Sequence, residues 1–226
     1  MKKTAIIVAG GTGQRMGAAL PKQFLAIEGK SILLHTVSQF VAAFWDINFV
    51  IVLPLDYISE GQNLIESSGL TQHIQIIAGG DTRFQSVKNG LAQVDADAIV
   101  FVHDAVRCLL TPALVQRCYE QALEKGSAIP AVASTDTIRI IEGEKHHLVD
   151  RENVMMIQTP QTFNAAILIK AFEQAYQPSF TDEANVLEAS GTEVYLIEGE
   201  YENIKITRPL DLAIANYILA KRALKD

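Results

Sequence analysis

Short apolar runs alternate along this chain with longer segments in which apolar residues recur at helical spacing. An unbroken apolar run is typical of a parallel strand covered on both faces, and such runs occur at residues 5–9, 49–53, 74–78, 98–102 and 128–132. The segments between them predict helices at about residues 31–44, 57–68, 82–94 and 112–125. We therefore predict an α/β fold with a doubly wound, mostly parallel sheet of the Rossmann-like type and right-handed crossovers.

The pattern changes between residues 135 and 158, where apolar and polar residues alternate around a polar, glycine-containing turn. This alternation predicts a β-hairpin that projects from the sheet as an arm at about residues 135–152. A simple surface hairpin and an arm that reaches onto a partner subunit are both compatible with the pattern. Beyond the hairpin we expect helices at about 165–176 and 182–190, a strand at 193–197, and a last helix from about Pro209, capped by Thr207 or Arg208, to near Leu224.

Composition narrows the classes of function. The chain has 226 residues, of which 49% are hydrophobic and 20% charged, and it lacks repeats and linkers, so we expect a single domain over residues 1–226. A net charge of −7 and a pI of about 5.3 argue against general binding to nucleic acids or anionic membranes. No apolar run is as long as a membrane span, and two cysteines without metal-ligand spacing indicate a reducing compartment. We expect a cytoplasmic enzyme.

Polar motifs follow the predicted strands, which is where ligands bind in open α/β sheets. GGTGQR follows the first strand, GGDTR the third and HDAVR the fourth. In the first motif, Gly10, Gly11 and Gly13 allow a sharp turn and let backbone N–H groups approach an anion. Arg15 and Lys22 then add two cations. Backbone donors and cations at a strand end suit a triphosphate and the charge that develops when it reacts.

Three kinds of phosphate loop compete for this segment. A Walker loop needs Ser or Thr directly after its lysine, whereas Lys22 follows Pro21 and precedes glutamine. A dinucleotide fingerprint needs an earlier third glycine than Gly17, and the expected acid, Asp56, lies beyond a proline. The third kind is the loop of sugar nucleotidyltransferases, Gly-x-Gly-x-Arg-Met followed by Pro-Lys, and GTGQRMG with PK resembles it closely. An ordinary strand-to-helix turn with surface cations is the remaining alternative.

The full series of motifs resembles one family. AGGTGQRMG, PKQFL, GGDTRFQSVKNGL, VHDAVR, DTI, VDR, QTPQTF, TDEA and NIKITRPLDL occur in the order of the 2-C-methyl-D-erythritol 4-phosphate cytidylyltransferase family, over nearly the whole chain. The resemblance implies transfer of CMP from CTP to 2-C-methyl-D-erythritol 4-phosphate, with release of pyrophosphate, in the non-mevalonate isoprenoid pathway. It also implies Mg²⁺ or another divalent cation as cofactor, and a homodimer formed through the β-arm.

The resemblance further implies a role for individual residues. Arg15 and Lys22 match the family's stabilisers of the transition state, while Arg151 and Lys205 match the residues that position the nucleophilic phosphate. The expected CTP site, in which Asp104 would also bind the metal, comprises Ala9, Gly10, Gly11, Gly80, Asp81, Ser86, Asp104 and Ala105. The expected site for the sugar phosphate comprises Arg107, Thr137, Thr159, Thr181 and Thr207.

Some of these residues also have a purely structural interpretation. Asp81 is placed to cap the helix predicted from residue 82, and Thr181 precedes two acids and also looks like an N-cap. His103 stands at a strand end, where a lone histidine is more often structural than a catalytic base. The chemistry implied by the resemblance does not need such a base, so we leave His103 outside the expected site.

Three other functions compete with the main interpretation. A ribitol-5-phosphate cytidylyltransferase would share the nucleotide loops, but Asp150-Arg151 and the TDEA run favour the methylerythritol enzyme. A non-catalytic nucleotide-binding homologue would be expected to lose Arg15, Lys22 or Asp104, and all three are present. An NAD-dependent oxidoreductase is disfavoured by the spacing of the first loop.

Overall fold

A mostly parallel sheet forms the centre of the protein in the computed structural model, which describes residues 1–10 and 21–224. The strands are β1 (Lys3–Val8), β2 (Ala26–Ile27), β3 (Lys30–Ser31), β4 (Asn48–Leu53), β5 (Ile74–Ala78), β6 (Ile99–Asp104), β7 (Ser127–Ala133), β8 (Ile138–Glu142), β9 (Lys145–Val149), β10 (Met155–Ile157), β11 (Gln161–Asn164) and β12 (Leu196–Glu198). The helices are α1 (Ile32–Ala43), α2 (Ile58–Ser67), α3 (Arg83–Leu91), α4 (Pro112–Lys125), α5 (Ala165–Ala171), α6 (Glu183–Ala189) and α7 (Pro209–Ala223).

The order of the strands confirms the predicted fold class. Strands β5, β4, β1 and β6 lie side by side and are parallel to one another. The sheet continues through β11, which is antiparallel to both β6 and β7, while β10 and β12 also pair with β7. We did not predict β10 or β11. Strand β11 is short and three of its four residues are polar, so it carries no apolar run to indicate a buried strand.

Helices cover both faces of the sheet, as a doubly wound fold requires. On one face, α1, α2 and α4 pack against alternate strand residues such as Ile7 and Ile51. On the other face, α3, α5 and α6 pack against residues such as Ile6 and Val50. Both faces of the central strands are therefore buried, which explains why their sequences are continuously apolar. A third, smaller cluster attaches α7 to the segment after β6 through Ile206.

The starts of two helices correct our expectations for Asp81 and Thr181. The residue directly before α3 is Thr82, whose side chain accepts a hydrogen bond from the backbone N–H of Gln85 at 3.0 Å. The residue directly before α6 is Asp182, whose carboxylate accepts from Asn185 N at 3.0 Å. In both cases two adjacent residues have capping side chains, and the second of the two has the cap position. Neither Asp81 nor Thr181 is an N-cap.

Strands β8 and β9 form the predicted hairpin. They pair from Ile138 opposite Val149 to Glu142 opposite Lys145, and Gly143 turns the chain with a φ of 62°. Most residues of the hairpin are exposed, including Ile141 at 76%. Within the described residues it forms a sheet of its own, separate from the central one. None of the helices in the described part of the chain has the length and apolar character needed to cross a membrane.

Candidate active site

A cleft of about 350 Å³ opens where β1 and β6 end and α3 begins. This is the carboxyl edge of the parallel strands, where the polar motifs were expected to meet. The structure brings eight of the expected site residues to the walls of this cleft: Ala9, Gly10, Lys22, Gly80, Asp81, Ser86, Asp104 and Lys205. Two further expected residues, Gly11 and Arg15, lie outside the described residues. Ala105, also assigned to the CTP site, is fully buried behind Asp104.

One wall of the cleft is a tight connection between Gly80 and the start of α3. Ser86 Oγ accepts a hydrogen bond from Gly80 N at 3.1 Å and donates one to the backbone oxygen of Thr82 at 2.9 Å. The backbone passes so close to α3 that a Cβ on Gly80 would stand 2.2 Å from Gln85 Cγ. Gly80 is therefore required by the close approach of the chain to the helix. At Gly80 this wall therefore presents main-chain atoms.

The lining of the cleft also includes two lysines that are distant in sequence. Lys22 lies in a 3₁₀ turn, and its Nζ donates to the backbone oxygen of Ile206 at 3.0 Å. The neighbouring Gln23 is buried and its amide donates to Ala9 O at 2.7 Å, which ties this turn to the end of β1. Lys205, next to Ile206, forms an ion pair with Asp104 at 2.7 Å. The fold thus places Lys22 and Lys205 side by side at the cleft.

Asp104, the last residue of β6, joins the groups of the cleft. Its Oδ2 lies 2.7 Å from Lys205 Nζ and its Oδ1 lies 3.4 Å from Arg83 Nη2. Its backbone N–H donates to Thr159 Oγ1 at 3.2 Å. Burial alone would raise the pKa of the Asp104 carboxyl, but the charges of Arg83, Lys205 and Arg107 outweigh that effect and hold the pKa below its ordinary value. Asp104 is therefore an anion at neutral pH.

An ion pair next to Asp104, between a partly buried arginine and a buried glutamate, was not predicted from the sequence. Arg83 opens α3 and Glu183 opens α6, and the two guanidinium Nη atoms of Arg83 face the two carboxylate oxygens of Glu183, with Nη2 at 3.1 Å from Oε2. Only 1% of the Glu183 side chain is exposed. Both residues stand inside motifs quoted above, GGDTR and TDEA, at the first position of a helix. A charged residue directly after a helix cap was the available signal for each residue by itself, but not for their pairing.

His103 has a structural environment. It is fully buried, its Nδ1 lies 3.1 Å from Thr159 Oγ1, and its Nε2 lies 3.2 Å from the backbone oxygen of Arg107. Burial lowers the pKa of His103 to about 3, so the imidazole is neutral at physiological pH.

Arg107 donates to Asn203 O at 2.8 Å, and its Nε is buried without a hydrogen-bond partner among the described residues.

Three of the expected threonines have partners within the chain. Thr159 is buried, with its hydroxyl between His103 and the backbone N–H of Asp104. The hydroxyl of Thr207 donates to Asp211 Oδ2 at 2.9 Å, and that of Thr181 donates to Asn185 Oδ1 at 2.7 Å. Contact of these hydroxyls with a sugar phosphate stays a prediction.

The remaining two expected residues lie on the arm. Thr137 and Arg151 line a shallow groove with Leu148, Val149 and Asp150 and do not line the cleft. Arg151 is exposed and its Nη1 reaches the backbone oxygen of Thr135 at 3.4 Å. Within one chain, Thr137 and Arg151 therefore do not share a pocket with Lys22, Asp104 and Lys205.

Comparison with known proteins identifies what this arrangement is similar to. Residues 3–221 match the model of the family described as 2-C-methyl-D-erythritol 4-phosphate cytidylyltransferase. Relatives of that name from Bacteroides fragilis and Bacteroides thetaiotaomicron are 42% and 43% identical over 219 residues, which cover 97% of this chain and all of each relative.

Solved structures agree with the sequence relatives. The 4-diphosphocytidyl-2C-methyl-D-erythritol synthase from Anaerococcus prevotii superposes with a TM-score of 0.83 at 26% identity, over 97% of this chain and 96% of that one. The 2-C-methyl-D-erythritol 4-phosphate cytidylyltransferase from Thermus thermophilus superposes with a TM-score of 0.78 at 33% identity, over 98% of this chain and 100% of that one.

Proposed function

This chain belongs to the 2-C-methyl-D-erythritol 4-phosphate cytidylyltransferase family and is a nucleotidyltransferase, and we propose on this premise that it transfers CMP from CTP to 2-C-methyl-D-erythritol 4-phosphate. In this reaction an oxygen of the 4-phosphate attacks the α-phosphorus of CTP, and the bond to pyrophosphate breaks. The product is 4-(cytidine 5'-diphospho)-2-C-methyl-D-erythritol. Because the nucleophile is already an anion, the reaction needs no strong general base, which suits a neutral and buried His103.

The main requirement of this chemistry is to bring negative groups together around one phosphorus atom. Catalysis then consists of positioning and of neutralising charge. The observation that carries the proposal is the pair of lysines, Lys22 and Lys205, that line one cleft with Asp104 and the Gly80 wall. We assign Lys22, together with Arg15, to the charge that develops on the phosphates of CTP, and Lys205 to the attacking phosphate.

We assign the cytosine end of CTP to the wall formed by Gly80, Asp81 and Ser86. Main-chain groups recognise a base edge only where no side chain intervenes, and the tight packing of Gly80 against α3 supports this. The choice of a pyrimidine over a larger purine rests on the family, whose description is that of a cytidylyltransferase. Asp81, which does not cap α3, is left exposed at this wall.

A divalent cation, for which Mg²⁺ is our proposal, fits the donors of the cleft. The described residues contain no group of three or more metal-ligating side chains, but Asp104 and Asp81 both line the cleft. Mg²⁺ commonly uses one or two protein carboxylates together with substrate phosphates. Asp104 would hold it, and the metal would supply further neutralisation of phosphate charge.

For the arm we propose a homodimer in which each arm completes the site of the partner. Thr137 and Arg151 would then join a cleft that they do not reach within their own chain. Exposed apolar side chains on the hairpin, Ile141 at 76% and Leu148 at 60%, support contact with another surface. Arg151 would bind the phosphate of the sugar alcohol.

The experiment that tests the function is pyrophosphate release with CTP and Mg²⁺, with methylerythritol 4-phosphate and ribitol 5-phosphate supplied in parallel. We expect turnover with methylerythritol 4-phosphate alone. Turnover with ribitol 5-phosphate would retain the CTP site and overturn the proposed acceptor. Absence of release with either acceptor, in a protein that still binds CTP, would favour the non-catalytic homologue.

A further inference from the structure

We propose that Glu183 is a positioning residue for the nucleotide site, acting through Arg83 on Asp104. This inference rests on the proposed function, in which Asp104 contacts CTP. Glu183 does not line the cleft, whereas Arg83 and Asp104 do. Glu183 is linked to the cleft by hydrogen bonds through Arg83, which contacts both carboxylates.

The contacts form a chain of alternating charges. Glu183 faces both Nη atoms of Arg83, Arg83 Nη2 lies 3.4 Å from Asp104 Oδ1, and Asp104 Oδ2 lies 2.7 Å from Lys205 Nζ. The four formal charges sum to zero. Removing the charge of Glu183 at one end leaves Arg83 with one carboxylate in place of two.

The geometry shows how Arg83 is divided between its two partners. The planar guanidinium favours carboxylates that it meets with two N–H groups, and Glu183 takes that position. Arg83 contacts Asp104 only through the longer distance of 3.4 Å to Oδ1. The other oxygen, Oδ2, pairs with Lys205 at the cleft. Without Glu183, we expect Arg83 to turn fully onto Asp104 and to withdraw that carboxylate from the nucleotide.

The position of Glu183 is itself held firmly. Its neighbour Asp182 caps α6 and accepts from Gln161 Nε2 at 2.8 Å, while the same amide accepts from Ala184 N at 2.9 Å. The first turn of α6 is thereby fixed to β11, which lies beside β6. A buried ion pair is weak support for stability, because apolar residues of similar size often do as well. A role in orienting Asp104 explains why a carboxylate is placed here.

The test is a double-mutant cycle on CTP affinity, measured by calorimetry at fixed Mg²⁺ and compared with steady-state kinetics. Glu183→Gln keeps the shape of the side chain and removes its charge. We expect it to weaken CTP binding, and to raise KM for CTP, about tenfold, as loss of an outer partner of a site residue commonly does, with kcat changed less than about threefold. In an Arg83→Gln background, the same substitution should change CTP affinity by less than about twofold, because the two residues act as a unit.

Two further variants keep the result interpretable. Arg83→Lys retains a cation beside Glu183 but not the fork, and we expect a loss of CTP affinity like that of Glu183→Gln with a folded protein. Glu188→Gln removes the same charge from an exposed position of the same helix and should leave CTP affinity unchanged.

The outcomes separate this inference from the proposed function. Wild-type CTP affinity in both Glu183→Gln and Arg83→Lys, with only a lowered unfolding temperature, would overturn the positioning role. So would an equal loss from Glu183→Gln in both backgrounds, or a similar loss in Glu188→Gln. Absence of CTP binding by the wild-type protein would overturn the proposed function, and this inference with it.

Discussion

Lys22 is the residue to which our proposal assigns the charge that develops on the phosphates of CTP. Its Nζ is held by Ile206 O, so the cation stands at the cleft before any ligand arrives. We expect Lys22→Ala to lower kcat about 10²-fold or more with a modest loss of CTP affinity, because this charge is most needed in the transition state. Kinetics and CTP titration on the same preparation measure both effects. Lys2→Ala, at a surface ion pair, serves as the control, and an unchanged kcat in Lys22→Ala would remove Lys22 from this role.

The sequence allowed us to assign to the site those residues that stand in a recognisable motif. Lys22 follows the motif at the end of the first strand, and Asp104 lies in the motif at the end of the fourth, whereas Lys205 was assigned through the resemblance alone. The structure brings all three to one cleft. The pairing of Arg83 with Glu183 was not predictable, because it joins positions 100 residues apart and depends on where α6 docks. Spacing within a motif carries no information on such a contact.

At the scale of elements, the start of α7 depends on one carboxylate. Asp211 Oδ2 accepts from Thr207 N at 2.7 Å, from Arg208 N at 2.8 Å and from the Thr207 hydroxyl at 2.9 Å. We expect Asp211→Ala to cost about 1 kcal/mol, as loss of a helix-terminal acceptor usually does. In a chain of this size that corresponds to a fall in Tm of about 2–4 °C, measured by thermal unfolding.

Because the acceptor is a carboxylate, the difference in stability between wild type and Asp211→Ala depends on pH. Burial is the largest single influence and raises the pKa of Asp211, but the hydrogen bonds from Thr207 and Arg208 together outweigh it and lower the pKa in the folded state. A lowered folded pKa means that the stabilisation is complete above the ordinary carboxyl pKa of about 3.9 and is lost as the pH falls through the folded value. The difference in stability between wild type and Asp211→Ala should therefore be constant from pH 7 to about pH 5 and shrink below that. A difference that persists unchanged at pH 3 would contradict this account.

The bounds of a helix were predictable where its apolar residues keep a regular spacing over several turns. They were not predictable where tertiary contacts determine the end of the element. The helix predicted over 112–125 is observed at Pro112–Lys125, with Thr111 as its cap. The helix predicted over 165–176 instead ends at Ala171, and the next residue, Phe172, stacks on Phe84 of α3 with ring centroids 4.7 Å apart. The end of the helix therefore coincides with a tertiary contact between aromatic rings. The strand predicted at 193–197 is observed at Leu196–Glu198, so that it begins later and ends one residue beyond the predicted range.

At the scale of the whole molecule, the proposed dimer predicts that the arm affects one substrate and not the other. We expect Arg151→Ala to raise KM for the sugar phosphate and to leave CTP affinity nearly intact, because Arg151 lies outside the cleft of its own chain. Arg139→Ala removes an exposed arginine from strand β8 of the same arm and is the matched control. Steady-state kinetics with each substrate varied in turn measure the split. Equal loss for both substrates would point to a disturbed fold or assembly.

The contact between Lys22 Nζ and the backbone oxygen of Ile206 joins positions 184 residues apart, and it has a consequence for how the protein is made. A growing chain emerges from the ribosome with its N-terminal part first, and early segments begin to fold while later ones are still missing. Lys205 and Ile206, whose backbone oxygen holds Lys22, are synthesised late. They follow the first strands, the Gly80 wall and Asp104. A partly synthesised chain therefore lacks the anchor of Lys22 and the charge of Lys205. On the function that we propose, binding of the nucleoside triphosphate would then have to wait until the segment around residue 206 has been translated and docked.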